Sequence, residues 1–170
     1  MFNMVTTAPH IVSRTFNAPR ELVWKANTEA DSIGSWFSPP GFTARVNRMD
    51  FRVGGEYLSS QYDKDGNIYM RGRIIYTEID PIEKLAYIQS FCDENEELGF
   101  HPELPLWPRQ VLSEITFEDL GDSRTRMTVK WSPYMSTPEE EAFFASIRSS
   151  TDLGWAGTFD KLESYLNTVK

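Results

Sequence analysis

The chain has a single cysteine, Cys92, so no disulfide can form within it, which fits a reducing compartment and a cytoplasmic protein. It has only two histidines, His10 and His101, far apart in sequence, and no Cys-x-x-Cys pair. The ligand spacing of a zinc or iron site is therefore missing, and neither a metal nor any other cofactor is expected. The Gly-x-Ser-x-Gly turn of a hydrolase nucleophile is absent. There is no phosphate-binding Walker loop, and Gly54-Gly55 is not a dinucleotide fingerprint. Runs of lysine or arginine are also missing, and the net charge is −8, which argues against nucleic-acid partners and anionic membrane surfaces. No stretch approaches the roughly 20 apolar residues of a membrane span, so no membrane insertion is expected. Met1 to His10 carries neither a cationic start nor an apolar run and does not read as a signal peptide.

What remains is an ordinary globular composition with one excess. Hydrophobic residues make up 40% and charged residues 25%, but aromatics reach 14%. Such a share suits bulky packing on a curved sheet or the wall of a pocket. At 170 residues, with no Gly/Ser linker and no repeat, the chain reads as one domain over 1–170.

Ile11 to Phe16 reads as a strand, stopped at Asn17-Ala18-Pro19, with Pro19 suited to a first helical turn. Two short helices follow, the first running through Asn27 and the second over Glu29 to Trp36, before Ser38-Pro39-Pro40-Gly41. From Phe42 to Trp131 the pattern is β, with segments 42–49, 55–62, 68–79, 85–91, 111–117 and 125–131. Asp65-Gly66 and Leu120-Gly121-Asp122-Ser123 are turns, so neighbouring strands are antiparallel. A polar, proline-studded loop spans Asp93 to Pro108. Thr137-Pro138-Glu139-Glu140 has the form of a capping box with proline at the first position. Phe144, Ile147, Thr151, Trp155, Phe159, Leu162 and Leu166 then recur every three or four residues, predicting one helix of about 30 residues, roughly 45 Å long. Only a sheet is large enough to receive its aromatic stripe.

Several segments resemble a known family. Arg14 to Trp24, Trp36-Phe37 with its trailing prolines, Asp50 to Tyr57 with its Arg-x-Gly-Gly, and Gly154-Trp155 followed by Leu162 and Tyr165-Leu166 are similar to homologues of the activator of the Hsp90 ATPase, within the START-like (SRPBCC, birch-pollen-allergen-like) superfamily. Tyr87 to Phe91, the loop from His101-Pro102 to Trp107-Pro108, and Val111 to Phe117 resemble a bacterial branch of it. The resemblance covers about Ile11 to Asn167. It implies an α+β helix-grip fold: a curved antiparallel sheet of about six to seven strands wrapped around the C-terminal helix, two short helices after the first strand, and a ligand cavity between sheet and helix. The order of elements agrees with that fold; the cavity is carried by the resemblance alone.

Alternation along the strands selects the residues that would face the helix. Thr125, Met127, Val129 and Trp131 share one face, opposite Arg124, Arg126 and Lys130; Val111, Ser113, Ile115 and Phe117 form a similar set. Leu85, Tyr87, Gln89 and Phe91 are the inward set of their strand. Tyr57, Ser59 and Gln61 fall on the face that is inward in the family, where apolar residues are usual, so Ser59 and Gln61 are candidates to orient a ligand. The alternative is that they face water at a strand end or bond to each other. Trp36, Trp107, Trp131 and Trp155 offer flat faces for a ring or acyl chain, against plain core packing. Trp107, inside the proline-rich loop, suits a lid. Phe144 and Phe159 on the long helix complete the candidate ligand-binding set. Gly154 and Gly157 interrupt that helix at about 1 kcal/mol each relative to alanine, in exchange for close approach to the sheet or to a ligand. Arg52 is expected to pair with a surface carboxylate, and Glu94 to Glu97 to be a solvated loop.

The expected function is to bind or carry a small hydrophobic or aromatic molecule, without covalent catalysis and with no catalytic residue assigned. The alternatives are a cyclase- or hydrolase-like enzyme using Tyr57, Ser59, Gln61, Tyr87 and Gln89, or a chaperone-associated stress protein. The oligomeric state is left as monomer or homodimer.

Overall fold

The computed structural model describes residues 7–170, so the first six of the residues read above for a signal peptide lie outside the described residues. The chain runs β1 (His10–Phe16), α1 (Arg20–Thr28), α2 (Ala30–Trp36), β2 (Thr43–Met49), β3 (Glu56–Tyr62), β4 (Ile68–Asp80), β5 (Lys84–Cys92), β6 (Gln110–Gly121), β7 (Arg124–Pro133), α3 (Pro138–Ser146) and α4 (Arg148–Val169). The seven strands form one sheet in the order β1-β7-β6-β5-β4-β3-β2, every neighbouring pair antiparallel. This is the helix-grip α+β architecture, with α1, α2 and α4 against one face of the sheet.

Register shifts at Val46/Arg48, Gln61/Tyr62, Tyr76/Glu78 and Asp119/Gly121 supply the curvature. Each bulge bends its strand and increases the local twist, which lets one sheet wrap a single helix. The turn between β2 and β3 depends on its glycine pair. Gly54 has φ +83, and a side chain on Gly55 would collide with the Asp50 and Arg52 carbonyls. The outer face is tied there by ion pairs: Arg48 to Glu56 and to Glu96, and Arg73 to Glu56 at 2.9 Å. Glu96 thus docks its loop onto the sheet, where a merely solvated run was expected. Arg52 pairs with Asp50 at 2.8 Å, as expected.

Two local expectations need correction. Pro19 is the N-cap of α1 rather than its first helical residue. The C-terminal helix is not continuous. Its capping box at Thr137 and Glu140 is present, but the helix breaks at Ile147 (φ −113, ψ 27) into α3 and α4. Ser146 donates its hydroxyl to the Phe143 carbonyl at 2.7 Å, offering the backbone a competing bond at the break. Arg148 just beyond it donates to the Pro9 carbonyl at 3.1 Å. The two pieces serve different clusters: Phe144 packs with Trp107 and Val111, whereas Trp155, Phe159, Leu162 and Leu166 join the main core.

That main core fills one end of the space between sheet and helix. Phe16, Val23, Trp36, Leu85, Ile115, Phe117, Met127, Val129, Leu162 and Leu166 are all buried there. Full burial of each large apolar side chain stabilises by roughly 1.5–3 kcal/mol relative to exposure. The polar groups at this end have partners. Trp36 Nε1 donates to the Ala26 carbonyl at 2.8 Å, Asn27 Nδ2 to Val23 at 2.8 Å, and the Thr125 hydroxyl to Ala18 at 2.8 Å.

Candidate functional site

Toward the other end of α4 the packing stops, and a cavity of about 280 Å³ opens. Strand register explains its floor. Gln89, Ile74 and Tyr57 stand opposite one another across β5, β4 and β3; Phe91, Gly72 and Ser59 form the next row; Met70 and Gln61 form the third. All of these line the cavity. Gly72 sits in the middle of the floor, and the nearest atom to a Cβ built there is the Ser59 hydroxyl at 3.7 Å. Side-chain volume is missing at the point where the sheet is otherwise crowded.

The roof is α4, contributing Ser150, Thr151, Gly154, Trp155 and Thr158, with Ile147 at its start. Thr151 and Thr158 donate their hydroxyls to carbonyls of the preceding turn, so neither is a free donor. Ser150 and Gly154 are exposed, and a Cβ built on Gly154 meets nothing within 4 Å, so the mouth lies beside them. Gly157 has a different role: a Cβ there would overlap the Pro40 ring. One turn on, Lys161 donates to the Ser38 hydroxyl at 2.7 Å and to the Pro39 and Phe42 carbonyls at 2.9 and 2.7 Å. Gly157 and Lys161 together clamp the 38–42 segment to α4, and burial lowers the Lys161 pKa. Phe37, Ser38 and Pro39 at the start of that segment close one side of the cavity.

The opposite side comes from the loop between β5 and β6. His101, Leu104, Trp107 and Pro108 line the cavity there, with Val111 of β6 and Trp131 of β7. Trp107 packs against Trp131 and Phe144, with ring centroids 5.9 and 5.5 Å apart. His101 is fixed by its own loop. Its Nδ1 accepts the backbone N–H groups of Glu103 and Leu104 at 3.0 and 3.1 Å, and burial lowers its pKa.

Four polar groups in the lining differ from those of the core in lacking partners. The Tyr57 hydroxyl, Gln61 Oε1, Trp131 Nε1 and Trp155 Nε1 are shielded from water and meet no hydrogen-bond partner. Leaving such a group unsatisfied costs roughly 1–3 kcal/mol. Burial pushes the Tyr57 phenol up to about 12, with Ser59 pulling weakly the other way, so it is a neutral O–H donor at ordinary pH. The indoles of Trp131 and Trp155 lie 5.2 Å apart, edge to face. Gln89 accepts a hydrogen bond from Ser113 at 3.1 Å.

Of the sequence candidates, Tyr57, Ser59, Gln61, Gln89, Phe91, Trp107, Trp131 and Trp155 are brought together around the cavity. Trp36, Tyr87, Ser113, Phe144 and Phe159 are not in its wall. Tyr87 and Ser113 lie one register row toward the packed end, opposite Tyr76 and Trp131 respectively. Trp36 and Phe159 belong to the main core and Phe144 to the smaller cluster beneath the loop. Sequence reasoning missed Met70, Gly72, Ile74, His101 and Leu104. The first three were legible in principle, because once β3 and β4 are paired their faces follow by alternation.

Comparison with known proteins agrees with this architecture. Residues 17–167 match the family described as Activator of Hsp90 ATPase homolog 1-like protein. None of the curated proteins compared matches the chain. Among solved structures, a protein from Arthrobacter aurescens is 23% identical with a TM-score of 0.77, covering 95% of this chain and 87% of its own. Protein Ms6760 from Mycobacterium smegmatis is 20% identical with a TM-score of 0.75, covering 96% and 94%. The AHSA1 protein SPO3351 from Silicibacter pomeroyi is 14% identical with a TM-score of 0.70, covering 96% and 100%. At these identities the likeness is one of fold. No helix among the described residues is long and apolar enough to cross a membrane.

Proposed function

The chain belongs to the Activator of Hsp90 ATPase homolog 1-like family, within the START-like superfamily, and from that premise we propose that it binds a small, largely apolar molecule between sheet and C-terminal helix. The observation that carries this is the cavity of about 280 Å³ walled by Phe37, Phe91, Trp107, Trp131 and Trp155. Protein interiors leave few voids larger than a water molecule, so a hollow of this size in an aromatic wall is a feature to be filled. Its volume lies just under the roughly 300–1,000 Å³ of sites for drug-sized ligands, which favours a compact ring system over a long acyl chain. The groups around it are suited to holding a ligand rather than to attacking one. Tyr57 is neutral, His101 has its Nδ1 engaged, and Cys92 is outside the wall with its thiol pKa raised by burial.

The test is titration with naphthalene and tetralin, read by tryptophan fluorescence, together with native mass spectrometry of protein purified from its own host. Saturable quenching with one molecule bound per chain, and a co-purifying small molecule, are expected. Absence of both quenching and a co-purifying molecule would end the proposal.

A further inference from the structure

The unpartnered groups in the wall say what kind of small molecule fits. Three of them are donors, each out of a water molecule's reach as the side chains stand, so that an occupant meets them through a small shift of the wall: the Tyr57 O–H, the Trp131 N–H and the Trp155 N–H. Trp155 joins the group, because its ring is 5.2 Å from that of Trp131 and it borders, with Tyr57, a small hollow of about 20 Å³ at the inner end of the cavity. Farther out, Gln61 presents an unpartnered amide oxygen, and an amide can turn to offer its N–H₂ instead. Indole N–H groups donate only, so what they need from an occupant is an acceptor.

The charges nearby exclude one large class of acceptor. Arg73 borders the cavity, but its guanidinium is engaged by Glu56 at 2.9 Å and by the Glu96 carbonyl at 2.7 Å. The Lys161 ammonium is held by three oxygens of the 38–42 segment. His101 has its Nδ1 occupied as an acceptor and so is neutral. Among the described residues no cation is free in the wall to pair with a carboxylate, and the chain as a whole carries −8. A buried anion without a counter-charge is strongly disfavoured, whereas a neutral carbonyl satisfies the donors at little desolvation cost.

We infer that the ligand is an uncharged, flat ring compound bearing a carbonyl-type acceptor, with that oxygen held by the indole N–H groups of Trp131 and Trp155 and the Tyr57 hydroxyl. This rests on the cavity being the binding site. It adds a polar recognition element that apolar lining alone does not require.

Three bicyclic probes of one shape separate the two claims: tetralin, tetralone and tetralincarboxylate, titrated by calorimetry at neutral pH. Tetralone is expected to bind about tenfold tighter than tetralin, since one or two neutral hydrogen bonds in place of unsatisfied donors are worth about that factor. The carboxylate is expected to bind weakest. The variants Trp131→Phe, Trp155→Phe and Tyr57→Phe keep an aromatic ring and remove a donor, so each should shrink the ratio of tetralone to tetralin affinity, a readout that cancels the change in apolar wall shared by the two probes. Equal binding of tetralin and tetralone, a preference untouched by all three variants, or tightest binding of the carboxylate would each overturn the inference while leaving an apolar site standing. If none of the three probes binds, the cavity itself is not a binding site and both claims fall.

Discussion

The two ends of the space under α4 use the same strands and the same residue types to opposite ends. Trp36 and Trp155 are equally sealed from solvent, at 2% and 5% exposure. At the packed end the Trp36 indole donates to the Ala26 carbonyl. At the hollow end the indoles of Trp155 and Trp131 donate to nothing. Thr125 and Asn27 at the packed end have partners, whereas Tyr57 and Gln61 at the hollow end do not. Aromatic content does not distinguish a core from a pocket. What does is whether the polar edges of the aromatics are satisfied by the protein itself, because an unsatisfied buried donor is a cost that an occupant can remove.

The largest effect expected from this contrast is on stability. Leu162 is fully buried beneath the packed end, so Leu162→Ala should cost about 2–5 kcal/mol, the range for a truncation that leaves a cavity in a close-packed core. Met70 already borders a void, and Met70→Ala should cost roughly 1 kcal/mol or less. Urea unfolding of the two variants measures the difference directly. Similar costs would mean that the hollow end is packed as tightly in solution as the core.

A smaller effect of opposite sign is expected at Gly72. Glycine inside a strand weakens it by roughly 0.5–1 kcal/mol, and here the Cβ position is free of clashes, with Ser59 at 3.7 Å. Gly72→Val should therefore recover about that much stability while filling the floor of the cavity and abolishing tetralin binding. A valine that stabilises and still binds would show that ligand does not enter over the β3–β4–β5 rows. Gain of stability with loss of binding is the expected signature of a residue kept small for its space.

Much of the fold that carries this contrast was legible in the sequence, whereas the contrast itself was hidden for definite reasons. The inward faces of β3, β5, β6 and β7 follow from alternation, because one-sided burial imposes a period of two. Thr125, Met127 and Val129 are all fully buried, as that pattern requires. The break at Ile147 left no trace, since Phe144, Ile147 and Thr151 keep helical spacing across it. Trp36 and Trp131 looked alike because the difference between them is a carbonyl ten residues away that one indole reaches and the other does not. The docking of the acidic loop through Arg48 and Glu96 joins residues 48 apart, beyond any local pattern. Gly72 falls on the inward face by alternation, but an absent side chain gives no sign in the sequence that space is kept there.

The smallest effect separates the loop wall of the hollow end from the core, and it depends on pH. His101 Nδ1 can accept from Glu103 and Leu104 only while unprotonated, which places the proton of the neutral ring on Nε2. Burial holds its pKa below the ordinary 6.5, although the nearby Glu103 carboxylate, itself bonded by Tyr69, pulls upward. A histidine lowered on folding binds fewer protons in the native state than in the open one. Its contribution is therefore complete above the ordinary value, declines as pH falls from there through the folded value, and is constant below. The opening involved is that of the loop rather than of the whole molecule, because these bonds lie within it. Amide exchange at Glu103 and Leu104, corrected for its intrinsic pH dependence, should accelerate as pH drops below 6.5, while amides within the β6–β7 ladder stay protected. His101→Asn keeps an acceptor but does not titrate in this range, so it should remove the acceleration. If the asparagine variant still accelerates, the histidine does not carry the pH dependence and serves only to shape the turn.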